Sequence, residues 1–300
     1  MIRLYFALLL TFTVTSGYSQ KTPDDYLQEA NNEERNMHND AALTSYRYII
    51  GNHPGNVMCP YVYYRMGGIY AMQGRDADAI KAMRTALAGG SKRAAPSVSM
   101  ARYYGYQNGA ATTLCRIYEQ RGNYDSALYF LGLCDTVYPM GSGCGNAAGY
   151  EKSAIILHYT SLLRKAGRTR EAERTLLSWF PYGPYGFKDS IMIKLNELLK
   201  QYEQPKQLKQ EVDNAINNYY FDTVYDTRYV QYDTAVFLCI NFMDVKIRYY
   251  YSGQTKDYYD GLFRLGSPLE IEAAIGGIPP RDKIIAGLKK TDLYTMIRKL

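Results

Sequence analysis

The three histidines of the chain are the first residues to consider for chemistry, and they are His38, His53 and His158. A helical metal-binding pair normally places two histidines four residues apart, and no such pair occurs. The sequence contains neither a GxSxG nucleophile turn nor a GxxxxGK[ST] phosphate loop. The glycine-rich segment 141–145 is no substitute for one, because no strand is predicted before it. We interpret this segment as a linker.

The cysteines and the acidic residues also predict no metal site. The five cysteines contain no CxxC pair and are too widely spaced for structural zinc: Cys59, Cys115, Cys134, Cys144 and Cys239. Because five thiols cannot all pair, at least one is free. We expect Cys115 and Cys134 to be buried and reduced, and Cys144 to be the reactive thiol. The Asp-Thr pairs of segment 222–234 lack the alternating oxygen ligands and the glycine of a calcium loop. We therefore expect no metal, no cofactor and no enzymatic activity.

Residues 1–19 are predicted to be a secretory signal peptide. Arg3 precedes an apolar run from Leu4 to Val14, which is too short for a permanent membrane helix, and small residues follow up to Ser19. No cysteine stands at this junction, which argues against a lipoprotein anchor. An uncleaved N-terminal anchor is the alternative. If the signal peptide is cleaved, as we expect, the mature protein is periplasmic or secreted.

The composition is that of a globular chain with a modest positive charge. Its 300 residues include 35 Lys and Arg against 29 Asp and Glu, a formal net charge of +6 that is spread along the sequence. A nucleic-acid-binding protein usually has a denser basic patch, so we expect no nucleic-acid partner. No run of 18 apolar residues predicts a membrane span after signal cleavage. Tyrosine supplies most of the bulky aromatic material, with 32 tyrosines and one tryptophan.

A pattern of small, bulky and aromatic residues recurs along residues 20–187. The clearest copy consists of Tyr63, Met66, Gly67, Tyr70, Ala79, Met83 and Ala86. A second clear copy consists of Leu114, Cys115, Tyr118, Gly122, Ala127, Leu131, Cys134 and Pro139. Weaker copies are Tyr159, Thr160, Leu163, Gly167, Ala172 and Leu176, and Tyr26, Ala30, Ala42, Tyr46, Ile49 and Pro54. In the last of these, the turn is predicted at Asn39 and Asp40, slightly out of register.

This pattern resembles the tetratricopeptide repeat (TPR), a family of helix-turn-helix units of about 34 residues. In that family, small residues of the two helices face each other where the helix axes approach. The alanines Ala42, Ala79, Ala127 and Ala172 are 37, 48 and 45 residues apart, so we expect insertions at 89–108 and 140–150. The resemblance implies an all-α fold, in which about four hairpins stack into a right-handed TPR-like α-solenoid.

Residues 188–300 are expected to form further helical hairpins and to end in two short capping helices. Helices are predicted at 189–203, 206–217, 234–251 and 255–265, and Ser267-Pro268 is a helix start signal. The intervening segment 219–234 is rich in tyrosine and β-branched residues. It is interpreted as a short β-hairpin or an ordered loop.

The resemblance also implies a concave groove lined by the first helix of each hairpin. The family's groove positions fall on Tyr61, Tyr64 and Met72, on Arg116 and Glu119, and on Arg164 and Lys165. Such a groove would be aromatic at one end and basic at the other. That combination suits an acidic or aromatic peptide, because arginine binds carboxylates in a fixed geometry.

Two functions remain open at this stage. The first is a non-catalytic scaffold or adaptor of the cell envelope that binds a protein or peptide partner through this groove or through the tyrosine-rich segment 219–234. The alternative is a periplasmic sensor or carrier that holds a glycan or peptide fragment in a tyrosine-lined pocket between the repeats and the C-terminal helices. Since solenoid folds serve many activities, the fold alone does not decide between them.

Overall fold

The computed structural model of the chain describes residues 21–89, 105–139, 145–179, 188–202, 204–225, 234–250 and 280–300. Within these ranges the chain is mostly helical, with twelve helices and a three-stranded sheet. The predicted signal peptide, the reactive Cys144, the helix at 255–265 and the start signal at Ser267 lie outside the described residues.

Residues 21–179 contain eight helices that follow one another as four hairpins. They are α1 (Pro23–Arg35), α2 (Asn39–Asn52), α3 (Cys59–Met72), α4 (Asp76–Ala88), α5 (Tyr106–Gln120), α6 (Tyr124–Thr136), α7 (Gly145–Lys165) and α8 (Thr169–Trp179). The two helices of each hairpin pack against each other, and each hairpin also contacts the next. The start of α7 at Gly145 corrects one prediction, because part of the expected insertion 140–150 is helical.

The four hairpins share one turn geometry. Each turn has three residues, and its second residue has a positive φ: 63° at Met37, 69° at Gly74, 71° at Gly122 and 75° at Gly167. Two backbone hydrogen bonds recur in every turn, such as Gly74 N–H to Ala71 O and Arg75 N–H to Tyr70 O. This is the Schellman arrangement, which normally requires glycine because a Cβ is strained at positive φ. Met37 takes the glycine position in the first hairpin.

The predicted small residues are buried in all four hairpins. On the first helices they are Ala30, Gly67, Cys115 and Thr160, and on the second helices Ala42, Ala79, Ala127 and Ala172. A Cβ added to Gly67 would lie 3.0 Å from the Met83 side chain, so the helices are close enough to exclude bulk. The first hairpin has the same register as the others, because its turn is 36–38. Asn39 and Asp40, the predicted turn, begin α2 instead.

The C-terminal part combines helices with a small antiparallel sheet. Its elements are α9 (Lys188–Leu199), α10 (Pro205–Asn217), β1 (Tyr220–Tyr225), β2 (Thr234–Phe242), β3 (Val245–Tyr250), α11 (Arg281–Lys289) and α12 (Asp292–Arg298). The strand order is β1-β2-β3. The two helices predicted before residue 218 and the two short helices at the end of the chain are confirmed.

The helix predicted at 234–251 was wrong, because this segment forms β2 and β3. The strands are joined by Met243 and Asp244, whose φ values of 51° and 59° fit a tight two-residue hairpin turn. Ile247 and Tyr249 are buried, while Lys246 before them is exposed and Arg248 between them is only partly buried, which is the two-residue period of a strand. The segment is also rich in β-branched and aromatic residues, which are enriched in strands. The all-α prediction therefore holds only for the helical majority of the chain.

The buried residues form two clusters that meet at the third hairpin. One cluster joins the first two hairpins and includes Ile117 of α5. The other extends from Met83 through the later hairpins and the sheet to Ile297. The sheet and the terminal helices therefore share a core with the hairpins, since β3 packs on α8 and β2 on α10.

Candidate functional site

Side chains connect the first helices of successive hairpins, and this surface of α1, α3, α5 and α7 is called the first-helix strip below. Between α1 and α3, the Glu34 carboxylate lies 2.7 Å from Arg65 Nη2 and accepts a 3.0 Å hydrogen bond from Arg65 Nε. The buried hydroxyl of Tyr46 lies 2.9 Å from the same carboxylate. Burial alone would lower the pKa of Arg65, but the bond to Glu34 outweighs it and raises the pKa. Arg65 and Glu34 therefore neutralise each other here.

Three tyrosines cluster between α3 and α5. The rings of Tyr61 and Tyr64 are 6.2 Å apart, and both lie within 6.4 Å of Tyr106. A Cβ added to Gly109 would lie 2.7 Å from the Tyr64 hydroxyl, so the absence of a side chain there admits the ring. Tyr61 also accepts a 3.3 Å hydrogen bond from Arg65. The three rings form a partly exposed aromatic surface that spans two hairpins.

A carboxylate and two basic side chains join α5 to α7. Glu119 Oε2 lies 2.8 Å from His158 Nε2, and Glu119 Oε1 accepts a 2.7 Å hydrogen bond from Lys165. Partial burial alone would raise the pKa of Glu119, but the bonds from Lys165 and His158 lower it. The hydrogen bond to Glu119 raises the pKa of Lys165. Glu119 therefore offsets part of the positive charge expected at this end.

The predicted groove residues do not all have the same surroundings. Tyr61 and Tyr64 lie together, while Met72 is 61% exposed at the end of α3. Arg116 is exposed, and Arg164 is partly exposed. In the part of the chain that is described, neither guanidinium has an ion-pair partner. Lys194, and to a smaller extent Arg164, lower the pKa of Glu197 on the helix 188–199, so Arg164 lies near a carboxylate although it forms no ion pair with it.

Sequence reasoning missed four members of the strip: Glu34, Arg65, Tyr106 and His158. The missing information is spatial, because Glu34 and Arg65 are 31 residues apart in sequence and Glu119 and His158 are 39 apart. Tyr106 fell within the insertion expected at 89–108, although α5 begins there.

Metal and thiol chemistry find no support in the described ranges. No group of three or more His, Cys, Asp or Glu residues in them could hold a metal ion. Cys115 and Cys134 are buried, which confirms that part of the expectation. Burial raises the pKa of Cys115 to about 12, so its reactive thiolate is scarce at neutral pH.

A cleft lies between the last hairpin and the C-terminal part, and it is called the α8–α10 cleft below. It measures about 500 Å³ and is lined by Arg170, Arg174, Tyr202, Gln207, Glu211, Asn214, Ala215, Asn218, Asn241, Phe242, Met243 and Asp244. Arg174 forms an ion pair with Asp244, which stands at the turn between β2 and β3. The expected pocket in this region was tyrosine-lined, whereas the cleft has one tyrosine and mostly amide and charged side chains.

The surface features above are not accompanied by a membrane-crossing helix. None of the helices in the described ranges has the length and apolar composition for it. No family model matches the chain, and comparison with the curated proteins gives no match.

Proposed function

We propose that this protein is a non-catalytic scaffold of the cell envelope whose four hairpins are TPR-like repeats in a right-handed solenoid. The repetition of one turn geometry supports this. In every hairpin, the turn residue with positive φ comes seven positions after the buried residue at the helix contact of the first helix. Export through the N-terminal segment is part of the proposal and rests on the sequence pattern of residues 1–19.

The proposed ligand is an extended acidic peptide segment that contains an aromatic residue and lies along the first-helix strip. The observation that carries this proposal is the three-tyrosine cluster of Tyr61, Tyr64 and Tyr106. Tyrosine rings give large contact areas at small entropic cost, and they are enriched where proteins bind one another. Arg116 and Arg164 add positive charge that suits carboxylates.

The balance of charge on the strip decides the sign of the peptide. Arg65 is neutralised by Glu34, and Lys165 with His158 faces Glu119, so these pairs leave little charge for a partner. Neither Arg116 nor Arg164 forms an ion pair among the described residues, although Arg164 lies near Glu197. An acidic peptide gains attraction from them, whereas a basic peptide meets repulsion.

A peptide-library selection tests this function. Random twelve-residue peptides displayed on phage are selected on the purified chain and depleted on a Tyr61→Ala, Arg116→Glu variant of the same length. We expect the retained peptides to be enriched in Asp, Glu and one aromatic residue. Retained peptides without acidic enrichment, or an equal yield on the two proteins, would contradict the proposal.

A further inference from the structure

The α8–α10 cleft is built from three separate parts of the chain. Arg170 and Arg174 come from α8, four residues apart and therefore on one face of that helix. Asn214 of α10 and Asn218, the residue that caps the end of this helix, have the same spacing. The turn of the β2–β3 hairpin closes a third side. A cleft of about 500 Å³ is within the size range of small-molecule sites.

The described lining of the cleft contains two arginines and two carboxylates. Arg174 pairs with Asp244, and this contact ties the β-hairpin turn to α8. Glu211 accepts a 3.1 Å hydrogen bond from the neutral Gln207 amide. The guanidinium of Arg170 has neither an ion pair nor a side-chain hydrogen bond within the described residues.

Glu173, three residues further along α8, forms no ion pair with Arg170 among the described residues. Glu173 is 3% exposed, and its Oε2 atom has no hydrogen-bond partner in the described part. Burial raises the pKa of Glu173, with the nearby Arg170 acting in the opposite direction. Because Glu173 is turned into the core, its carboxylate does not occupy the cleft, and Arg170 faces it with its charge available.

The amides of the cleft provide hydrogen bonds beside this charge. Asn241 Oδ1 accepts a 3.2 Å hydrogen bond from Tyr220, which orients the amide and leaves its NH₂ group as a donor. The Asn218 NH₂ group is bonded to the Asn214 backbone carbonyl at 3.0 Å, which leaves its side-chain oxygen as an acceptor. Donor and acceptor groups therefore lie in the same cleft as the Arg170 guanidinium.

We propose that the α8–α10 cleft binds a small polar ligand that carries one carboxylate next to hydroxyl or amide groups, with Arg170 as the anchor for the carboxylate. A guanidinium binds a carboxylate through two parallel hydrogen bonds, and the amides bind the neighbouring groups. Two kinds of molecule have this chemistry: an acidic sugar and the C-terminal end of a short peptide. This site is separate from the first-helix strip.

Calorimetric titration of the purified chain tests the site with paired probes. D-glucuronate is compared with D-glucose, and N-acetylglycylglycine with its C-terminal amide, so that each pair differs mainly in the carboxylate. We expect at least one acid to bind with a Kd of about 1 mM or tighter, and its neutral counterpart to bind at least about tenfold more weakly. The acid that binds identifies the source.

Two variants assign the binding to the cleft. Arg170→Ala should weaken binding of that acid by about tenfold or more, and Lys81→Ala, which removes an exposed cation of α4 outside the strip and the cleft, should leave it unchanged. Unfolding curves of both variants confirm that they are folded. Failure of both acids to bind at this affinity, or equal affinity of Arg170→Ala and the parent chain, overturns the proposal. Neither result affects the peptide selection on the strip.

Discussion

Glu119 on α5 and Lys165 on α7 bind each other, with Oε1 and Nζ 2.7 Å apart. Both residues were predicted from the sequence to bind a partner independently. Their contact joins the first helices of the third and fourth hairpins, and it removes one positive charge from the basic end of the first-helix strip. Arg116 and Arg164 are therefore the cations that a peptide would meet, and the predictions about binding depend on them.

Replacement of Met37 by glycine should stabilise the protein. Met37 has a φ of 63° and is 76% exposed, so its side chain contributes little burial in return for the strain. Relief of the left-handed conformation is worth about 1–2 kcal/mol, offset by about 0.5–1 kcal/mol of extra chain entropy for glycine. We expect a gain of up to about 1 kcal/mol in the free energy of unfolding, measured by denaturant titration.

The matched control is Gly74→Ala at the same position of the second hairpin, where φ is 69°. This variant should lose stability by about 1 kcal/mol, because alanine acquires the strain that Met37 has. A destabilised Met37→Gly variant would show that the shared turn geometry is not maintained in solution.

Leucine at the closest approach of the hairpin helices should destabilise the protein. Ala79 and Ala127 have no exposed surface, so extra bulk would force the paired helices apart. We expect each substitution to cost about 1–3 kcal/mol in the free energy of unfolding. Ala77→Leu on the exposed side of α4 is the control and should change stability by less than about 0.5 kcal/mol. Equal stability of Ala79→Leu and Ala77→Leu would disprove the assigned repeat register.

Glutamine in place of Glu173 should stabilise the protein at neutral pH but not at low pH. Burial raises the pKa of Glu173, so the unfolded chain ionises this carboxyl at a lower pH than the folded chain does. The parent protein therefore loses stability as the pH rises through the ordinary carboxyl range near about 4 and above. Glutamine has no proton to release, and the advantage of Glu173→Gln should grow between pH 3 and pH 7 in thermal unfolding.

Glu171→Gln on the same helix should show the opposite sign. The hydrogen bond from Arg168 lowers the pKa of Glu171, so this carboxylate stabilises the folded chain above the carboxyl range and ceases to do so when acid protonates it. Glu171→Gln should therefore be slightly less stable than the parent near neutral pH and equal to it at low pH. Parallel pH profiles for the two variants would contradict the buried position of Glu173.

The helical hairpins could be predicted because their determinants are local. Small residues such as Gly67 and Ala79 must recur at a fixed spacing if two helices are to approach, and that spacing is visible in the sequence. The first turn was misplaced because Met37 stands where the other hairpins have glycine. The strands β2 and β3 were missed because the apolar run before Asp244 fits a buried helix as well as a buried strand. Only the identity of the neighbouring strands decides between a helix and a strand for this segment.

The candidate sites were predicted only in part, because some of their contacts lie within one helix and others join elements that are distant in sequence. Tyr61 and Tyr64 lie one helix turn apart, so their proximity follows from the helix. Their contact with Tyr106, and that of Glu119 with His158, depends on how neighbouring hairpins pack. The α8–α10 cleft brings Arg170 close to Asn241 across 71 positions of sequence, and no local pattern indicates it.

The most direct test of the central claim is the kinetics of an acidic peptide, obtained from the selection, binding to the purified chain at low and moderate salt. We expect Tyr61→Ala to raise the dissociation rate by about tenfold or more. The Arg116→Glu, Arg164→Glu pair should mainly lower the association rate, and this effect should shrink as salt screens the charges. Tyr61 is preferred to Tyr64 because Tyr64 also fills the space at Gly109. An unchanged dissociation rate in Tyr61→Ala would contradict binding along the first-helix strip, and the segment of Tyr225, Tyr229 and Tyr232 would become the better candidate.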